Sequence, residues 1–415
     1  YWQGVEEKVQ YANDQGLLVF LTAVRMAAPY SDWGDVFPEH DAVQVRRFAR
    51  QFAARLMGNF VVYSPVADDF WTSLADESGN ELAAASAMHL VTAHPEMAPA
   101  TAAVTFHDKA YADFAGAQTG AGWLYQPHPG SPDQWGTTGQ KPVFSAPLAS
   151  QYAIERILAL FNRLPRKPII NLEGNYDDRG LHEGDTTWHL QPYPIRTPRS
   201  TAYLSMLSGS AGFTYGCRGV YNWGVTPGWG GPIWSFSEAL NQPSATQMQY
   251  LFELFAGLEW WKLVPSHQLV QNQPAEWLQK MVIAKTPDGR LAVAYLSDNA
   301  SIVLDMSVFA GPMTARWMNP VTNASQAVSG SVPNTGTHTF TKPAAWTDAV
   351  LVLSMASGGL PGDLNGDGVR NLTDVRWIIE MLVGTRPKDL AKADLDGNGA
   401  LTLADCQALI KLIVG

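Results

Sequence analysis

The chain of 415 residues has only two cysteines, Cys217 and Cys406, no tract of basic residues, and no apolar run approaching the roughly 18 residues that a membrane span requires. A net charge of −10 without a basic cluster argues against nucleic acid and anionic membrane as partners. The two cysteines fall in segments assigned below to different domains, so no disulfide is expected between them, and no CxxC or Cys/His zinc spacing is present. HExxH, GxSxG, P-loop and GxGxxG patterns in a strand-helix context are also missing, which removes metalloprotease, esterase and nucleotide-binding readings. No signal-peptide pattern occurs in the sequence, and Tyr1 opens directly into the helical pattern Val5 to Ala12 without an initiating Met. The chain is therefore expected to be a fragment or mature form of a longer protein.

What is abundant is aromatic. Fifteen Trp, eleven of them before residue 262, supply flat faces suited to stacking on sugar rings, although core packing can absorb many of them. From residue 1 to 263, apolar runs alternate with amphipathic stretches in the manner of βα units and a parallel sheet. Expected strands are 17–24, 59–64, 90–94, 112–118, 168–173 and 211–215. Helices are expected over 41–57 (capped by Asp41 and stopped by Gly58), 81–89, 151–162, 198–207 and 244–261. The fold class this implies is α/β, a (β/α)₈ TIM barrel with six units present and two expected upstream. A barrel short of two strands exposes sheet edges, so the chain by itself is expected to be unstable or inactive.

From 264 to 355 the period falls to two. Strands at 281–284, 291–295, 302–306, 314–318, 338–340 and 349–353, with a hairpin turn at Pro287-Asp288-Gly289, predict a small antiparallel β-sandwich. Residues 356–362, Gly-rich, read as a linker.

Residues 363–415 contain two nearly identical twelve-residue loops starting 31 residues apart (394 − 363). Oxygen ligands for Ca²⁺ are expected from Asp363, Asn365, Asp367, Val369 (carbonyl), Asn371 and Asp374, and again from Asp394, Asp396, Asn398, Ala400 (carbonyl), Thr402 and Asp405, with Gly368 and Gly399 at the sharp turn. Each loop runs into an apolar helix. The absence of an entering helix, and Asp instead of Glu at position 12, resemble a dockerin module. That resemblance implies two structural Ca²⁺ ions and a cohesin domain of a scaffold as partner, with Leu372-Thr373 and Leu403-Ala404 at the contact positions. A loop pair that binds Ca²⁺ only in order to fold is the plainer alternative.

Candidate chemistry lies at the C-terminal ends of the barrel strands, where this fold keeps its active site. Asp68 with Asp69 follows the strand ending at Ser64, and Glu173 ends the strand from Ile169. Two such carboxylates can hydrolyse a glycosidic bond, one protonating the leaving oxygen while the other attacks the anomeric carbon. Both can equally serve as caps or salt-bridge partners. Several segments resemble the apiosidase-like (β/α)₈ glycoside hydrolases: Val62 to Asp68, Leu90 to Pro95, Ala115 to Gly120, Pro168 to Tyr176 and Gly209 to Gly216. Ala315 to Pro320 and Thr339 to Pro343 resemble the small sandwich appended in that family, sometimes labelled collagen-binding.

The resemblance implies Asp68 as general acid/base, Glu173 as nucleophile, and a retaining mechanism with the carboxyl groups about 5–5.5 Å apart, the acid's pKa raised by burial and by its negative neighbour. Val66-Ala67 replaces the family's usual glycines, and Asp69 stands beside the acid. Asp68 is preferred for its offset of five from Tyr63. His94, Gln118, Tyr176, Tyr215, Trp223 and Trp229 are expected to bind substrate, with no cofactor needed for catalysis. The function so implied is a secreted, extracellular glycoside hydrolase acting on plant cell-wall glycans, with a pectic side chain as one target, attached to a cohesin scaffold. The alternative is a carbohydrate- or matrix-binding protein that keeps the barrel without turnover.

Overall fold

The structure is a computed structural model that describes residues 1–23, 41–67, 73–95, 105–120, 123–124, 143–144, 146–177, 197–217, 219–220, 235–355, 362–365 and 369–414. It divides into two compact units, Tyr1–Asn241 and Gln242–Gly415.

In the first unit, helix α1 (Trp2–Asp14) leads into strand β1 (Val19–Thr22), and α2 (Ala42–Leu56) into β2 (Val61–Ser64). The Asp41 side chain accepts from Gln44 N at 2.8 Å while Gln44 returns a bond to Asp41 N at 3.0 Å, a capping box that fixes the start of α2. Helix α3 spans Ser73–Ala85 rather than 81–89. Ser78 and Gly79 weaken helix propensity there, but Gly79 is required because a Cβ would lie 2.6 Å from the Tyr111 ring. The helix ends early because Ser86 bonds His89, whose Nε2 meets Asn59 O at 2.8 Å and turns the chain into the next strand-like segment.

That segment pairs with β2 in parallel through Tyr63 and Val91. On its other side Val91 O accepts from Asp113 N at 2.8 Å, and Thr92 Oγ1 donates to Phe114 O at 2.7 Å. Strand β3 (Ala115–Gln118) follows, then a short antiparallel pair, β4 with β5 (Trp123–Leu124 with Val143–Phe144), that the sequence pattern did not disclose. Helix α4 (Ala146–Phe161), β6 (Ile169–Glu173), α5 (Thr197–Leu207) and β7 (Gly212–Phe213) complete the run. β1 pairs with β2, β3 with β6 and β6 with β7, all parallel. Each parallel strand thus lies beside the one before it in the chain, with the 90–92 segment joining β2 to β3. The C-terminal ends of all six point the same way.

Helix α6 (Phe236–Leu240) lies at the end of the first unit, and the second begins with α7 (Pro243–Ala256), which stops at Gly257 instead of running to Trp261. A sheet then forms in the order β13-β12-β15-β10-β9-β8, with strands Ser325–Val332, Met313–Met318, Ala349–Met355, Leu291–Leu296, Val282–Lys285 and Val264–Pro265. It faces a two-stranded pair, β11 (Ser301–Asp305) with β14 (Thr337–Thr341). Ile283, Ala294, Leu304, Trp317, Phe340 and Leu351 fill the core. The β9–β10 turn forms as expected: Gly289 has φ 69°, and a Cβ there would lie 2.8 Å from Val308 O. Strand β13 was not legible, because its mostly exposed Ser, Gln and Gly residues carry no apolar alternation. β10 is buried along its whole length, on both faces, unlike an antiparallel strand with one wet side.

The tail contains α8 (Leu372–Leu382) and α10 (Leu403–Val414), packed through Ile378, Met381, Cys406 and Leu409, with a single helical turn α9 (Leu390–Ala393) before the second loop. Neither Cys217 nor Cys406 forms a disulfide, and both are buried.

Candidate functional site: the strand ends around Glu173

Strict alternation along β6 would send Glu173 to the helix side of the sheet. Ile169 packs with Ile157 and Leu160 of α4, and Asn171 bonds Ser205 of α5. The pairing register changes this. Ala117 opposes Asn171 but Gln118 opposes Glu173, so β6 has one residue more than β3 at this point. Such a bulge re-aims the side chain beside it. Glu173 Oε2 accordingly lies 3.5 Å from His94 Nε2, two strands away, with both side chains largely buried (9% and 14% exposed).

The bulge is held from several sides. The Asn171 carboxamide turns its oxygen to the hydroxyls of Thr119 (2.7 Å) and Ser205 (2.9 Å) and its nitrogen to the carbonyls of Glu173 (3.1 Å) and Ala117 (3.2 Å), spanning the irregularity. Thr119 N donates to Glu173 O at 2.8 Å. Asn175 Nδ2 donates to Gly120 O at 2.6 Å. Three glycines permit this crowding: a Cβ would lie 1.9 Å from Gly174 O at Gly120, 2.1 Å from the Phe213 ring at Gly174, and 2.0 Å from the Tyr176 ring at Gly216. Neither Asn171 nor Asn175 was singled out from the sequence, where an amide inside an apolar strand is the only hint.

Of the other expected site residues, Gln118 is buried at the end of β3, opposite Glu173, and its carbonyl accepts from Arg156 Nη1 at 3.2 Å. The Tyr176 ring lies against Gly216. Tyr215 donates its hydroxyl to Asp177 Oδ2 at 2.8 Å, and burial together with the Asp177 charge raises the Tyr215 pKa far above the ordinary phenol value. Asp177, buried four residues beyond Glu173, was not foreseen. His94 N contacts Val66 O at 3.4 Å, two residues before Asp68. Asp68, Asp69, Trp223, Trp229 and Asp367 lie outside the described residues.

In the tail, the carboxylate oxygens of Asp394, Asp396 and Asp405 lie within 4.8 Å of one another. Asp405 accepts from Leu395 N (2.8 Å), Asp396 N (3.3 Å) and Thr402 N (2.8 Å). Asp374 repeats this with Leu364 N (2.8 Å), Asn365 N (3.2 Å) and Asn371 N (2.9 Å). Ala400 N bonds Asn398 Oδ1, which bends the second loop as an oxygen cage requires, and Gly399 has φ 80°. Burial raises the Asp374 pKa against the lowering by its three N–H donors, and the charge of Asp363 adds to the rise. Converging, partly desolvated carboxylates of this kind fit a hard divalent cation such as Ca²⁺. Val369 and Ala400 occupy the expected carbonyl positions in their loops.

Residues 1–262 match the family model described as the apiosidase-like catalytic domain. The chain belongs to the apiosidase-like family. Residues 264–354 of this apiosidase-like protein match the collagen-binding domain of a collagenase, and residues 361–414 match the dockerin type I domain, a calcium-binding module. Among solved structures it is similar to a glycoside hydrolase (TM-score 0.70, 22% identity, covering 86% of this chain and 77% of the other). It is also similar to a family 5 glycoside hydrolase from Bacteroides vulgatus (TM-score 0.69, 19% identity, 86% and 74% covered). These likenesses concern the fold. No curated protein matched the sequence. The apiosidase-like protein therefore joins an apiosidase-like catalytic domain, with a fold similar to that of glycoside hydrolases, to a β-rich region and a dockerin. No helix among the described residues is long and apolar enough to cross a membrane.

Proposed function

We propose that this apiosidase-like protein is a secreted retaining glycoside hydrolase that acts on plant cell-wall glycans, including branched pectic side chains, and is tethered to a cohesin-bearing scaffold by its calcium-loaded tail. The observation that carries the reading is the bulge that turns Glu173 toward His94 at the C-terminal ends of parallel strands. Parallel strands laid down in chain order, with helices between them, support a (β/α)₈ barrel, whose active site occupies that end. Domain limits at 263, 355 and 362 follow from this reading.

In the proposed mechanism a Glu173 carboxylate oxygen attacks the anomeric carbon while Asp68 protonates the departing glycosidic oxygen, leaving a glycosyl ester on Glu173. Asp68, now a carboxylate, takes a proton from water, whose oxygen displaces Glu173 and restores the original configuration. His94 and Gln118 flank Glu173; His94 orients the carboxylate, its contact tightening when substrate excludes water. Trp223, Trp229 and Tyr176 act as stacking platforms.

The tail holds two Ca²⁺ ions, one in each loop. Leu372 and Leu403, at corresponding helix starts, are 74% and 68% exposed, which suits apolar anchors for a cohesin.

The test is cleavage of a defined panel of pectic oligosaccharides by the full-length protein, with the anomer of the first product read by NMR. Retention is expected, and Asp68→Asn and Glu173→Gln should abolish hydrolysis while leaving glycan binding. Inversion overturns the mechanism. If neither substitution changes anything, the barrel is a binding surface without turnover.

A further inference from the structure

β6 and β7 run in parallel register at Asn171 with Phe213 and again at Asp177 with Cys217. Between those points the β6 side spends six residues (177 − 171) and the β7 side four (217 − 213). The two extra residues form an excursion between Asn171 and Asp177, with Tyr215 on the facing segment beyond β7. Asp177 therefore stands one step further toward the open end of the strands than Glu173, on the same segment. Its N–H donates to Gly216 O at 2.8 Å, and its Oδ2 accepts from Tyr215 at 2.8 Å.

A carboxylate offers about four acceptor positions, and Tyr215 fills one. Asp177 is only 4% exposed, yet among the described residues its carboxylate pairs with that hydroxyl and with no cation. Buried carboxylates need several donors or a counter-charge to offset desolvation. Adjacent hydroxyls on a sugar ring supply donors in the right number and carry no charge. A uronic acid in the same place would set a second carboxylate against the first, at a cost.

We propose that Asp177 and Tyr215 form a clamp for the vicinal hydroxyls of a neutral sugar beside Glu173, and that this clamp excludes uronate rings from that position. It rests on the hydrolase reading only for its placement next to the reacting bond. Binding is measured by calorimetry on the full-length protein carrying Glu173→Gln, which prevents turnover. The probes are neutral galacto- and arabino-oligosaccharides released from pectin side chains, and trigalacturonic acid.

A neutral probe should bind more tightly than trigalacturonic acid. Adding Asp177→Asn or Tyr215→Phe should weaken neutral binding at least about tenfold, and Asp177→Asn should narrow the preference over trigalacturonic acid. Unfolding midpoints report whether each variant folds; Tyr215→Phe serves if Asp177→Asn does not. With Glu173 intact, KM should rise by the same factor with kcat nearly constant. Unchanged binding in both variants, tighter binding of trigalacturonic acid, or a loss of kcat at constant affinity overturns the clamp. So does failure of every probe to bind. Binding that depends on Asp177 without cleavage of any probe would leave the clamp standing and sink the hydrolase instead.

Discussion

Asp405 draws its three backbone donors from residues 395, 396 and 402, all within ten positions of itself, whereas Glu173 meets His94 and Gln118 across separations of 79 (173 − 94) and 55 (173 − 118) residues. Both are carboxylates largely withdrawn from water. The calcium loop is an object of local sequence: its turns, glycines and ligands are specified within one dozen residues, and its helix follows at once. The strand-end site is an object of topology, made of residues that become neighbours only when parallel strands align and one of them gains an extra residue. A local site should fail by unfolding when its centre is changed, and an assembled one by losing function while the fold persists.

The largest expected effect sharpens that contrast. Glu173→Gln should lower hydrolysis by on the order of 10³-fold or more while the unfolding midpoint stays nearly fixed, because the amide keeps the shape of the carboxylate. Kinetics and calorimetry on one preparation check both halves. Asp405→Ala should do the reverse: three backbone N–H groups lose their acceptor, at about 3 kcal/mol for the tail. Calcium titration should then show one binding event fewer, with hydrolysis unaffected. If that variant also slowed hydrolysis, the separation between the two sites would break.

Gly174→Ala tests the crowding that supports the bulge. Its Cβ would lie 2.1 Å from the Phe213 ring, and overpacking of this kind costs about 1–3 kcal/mol. A lowered midpoint, partly restored by Phe213→Leu, is expected in thermal melts. The smallest effect concerns pH. Burial lowers the His267 pKa to about 4 from 6.5, outweighing its bond to Ile283. The folded state therefore binds its proton less readily than the unfolded state, so the stability this neutral ring contributes is complete above about 6.5 and is lost as pH falls toward 4. His267→Gln should flatten that part of the melting-temperature profile of the sandwich, with no change in calcium affinity at neutral pH.

How far each region could be read in advance follows the same division. The capping box at Asp41, the Asp288-Gly289 turn and the paired calcium loops lie within a few consecutive residues, and side-chain chemistry at short range identifies them. The C-terminal ends of β2, β3 and β6 were also legible, because apolar runs stop where the chain leaves the sheet. Helix α3 was misplaced because Gly79 argues against a helix until the Tyr111 ring is seen to need its space. β13 was invisible because an exposed edge strand needs no apolar pattern. The direction in which Glu173 points was hidden for a deeper reason: alternation within β6 assigns it to the helix side, and only pairing with β3 shows the added residue.

The sequence by itself determined most of the elements, the pair of repeated loops in the tail and the family resemblance, since each rests on spacing along one stretch of chain. Only the tertiary structure decided that Glu173 faces His94, that Asn171 spans the bulge and that Asp177 pairs with Tyr215. Those contacts depend on register between strands, and register is a relation between distant segments that no single segment encodes.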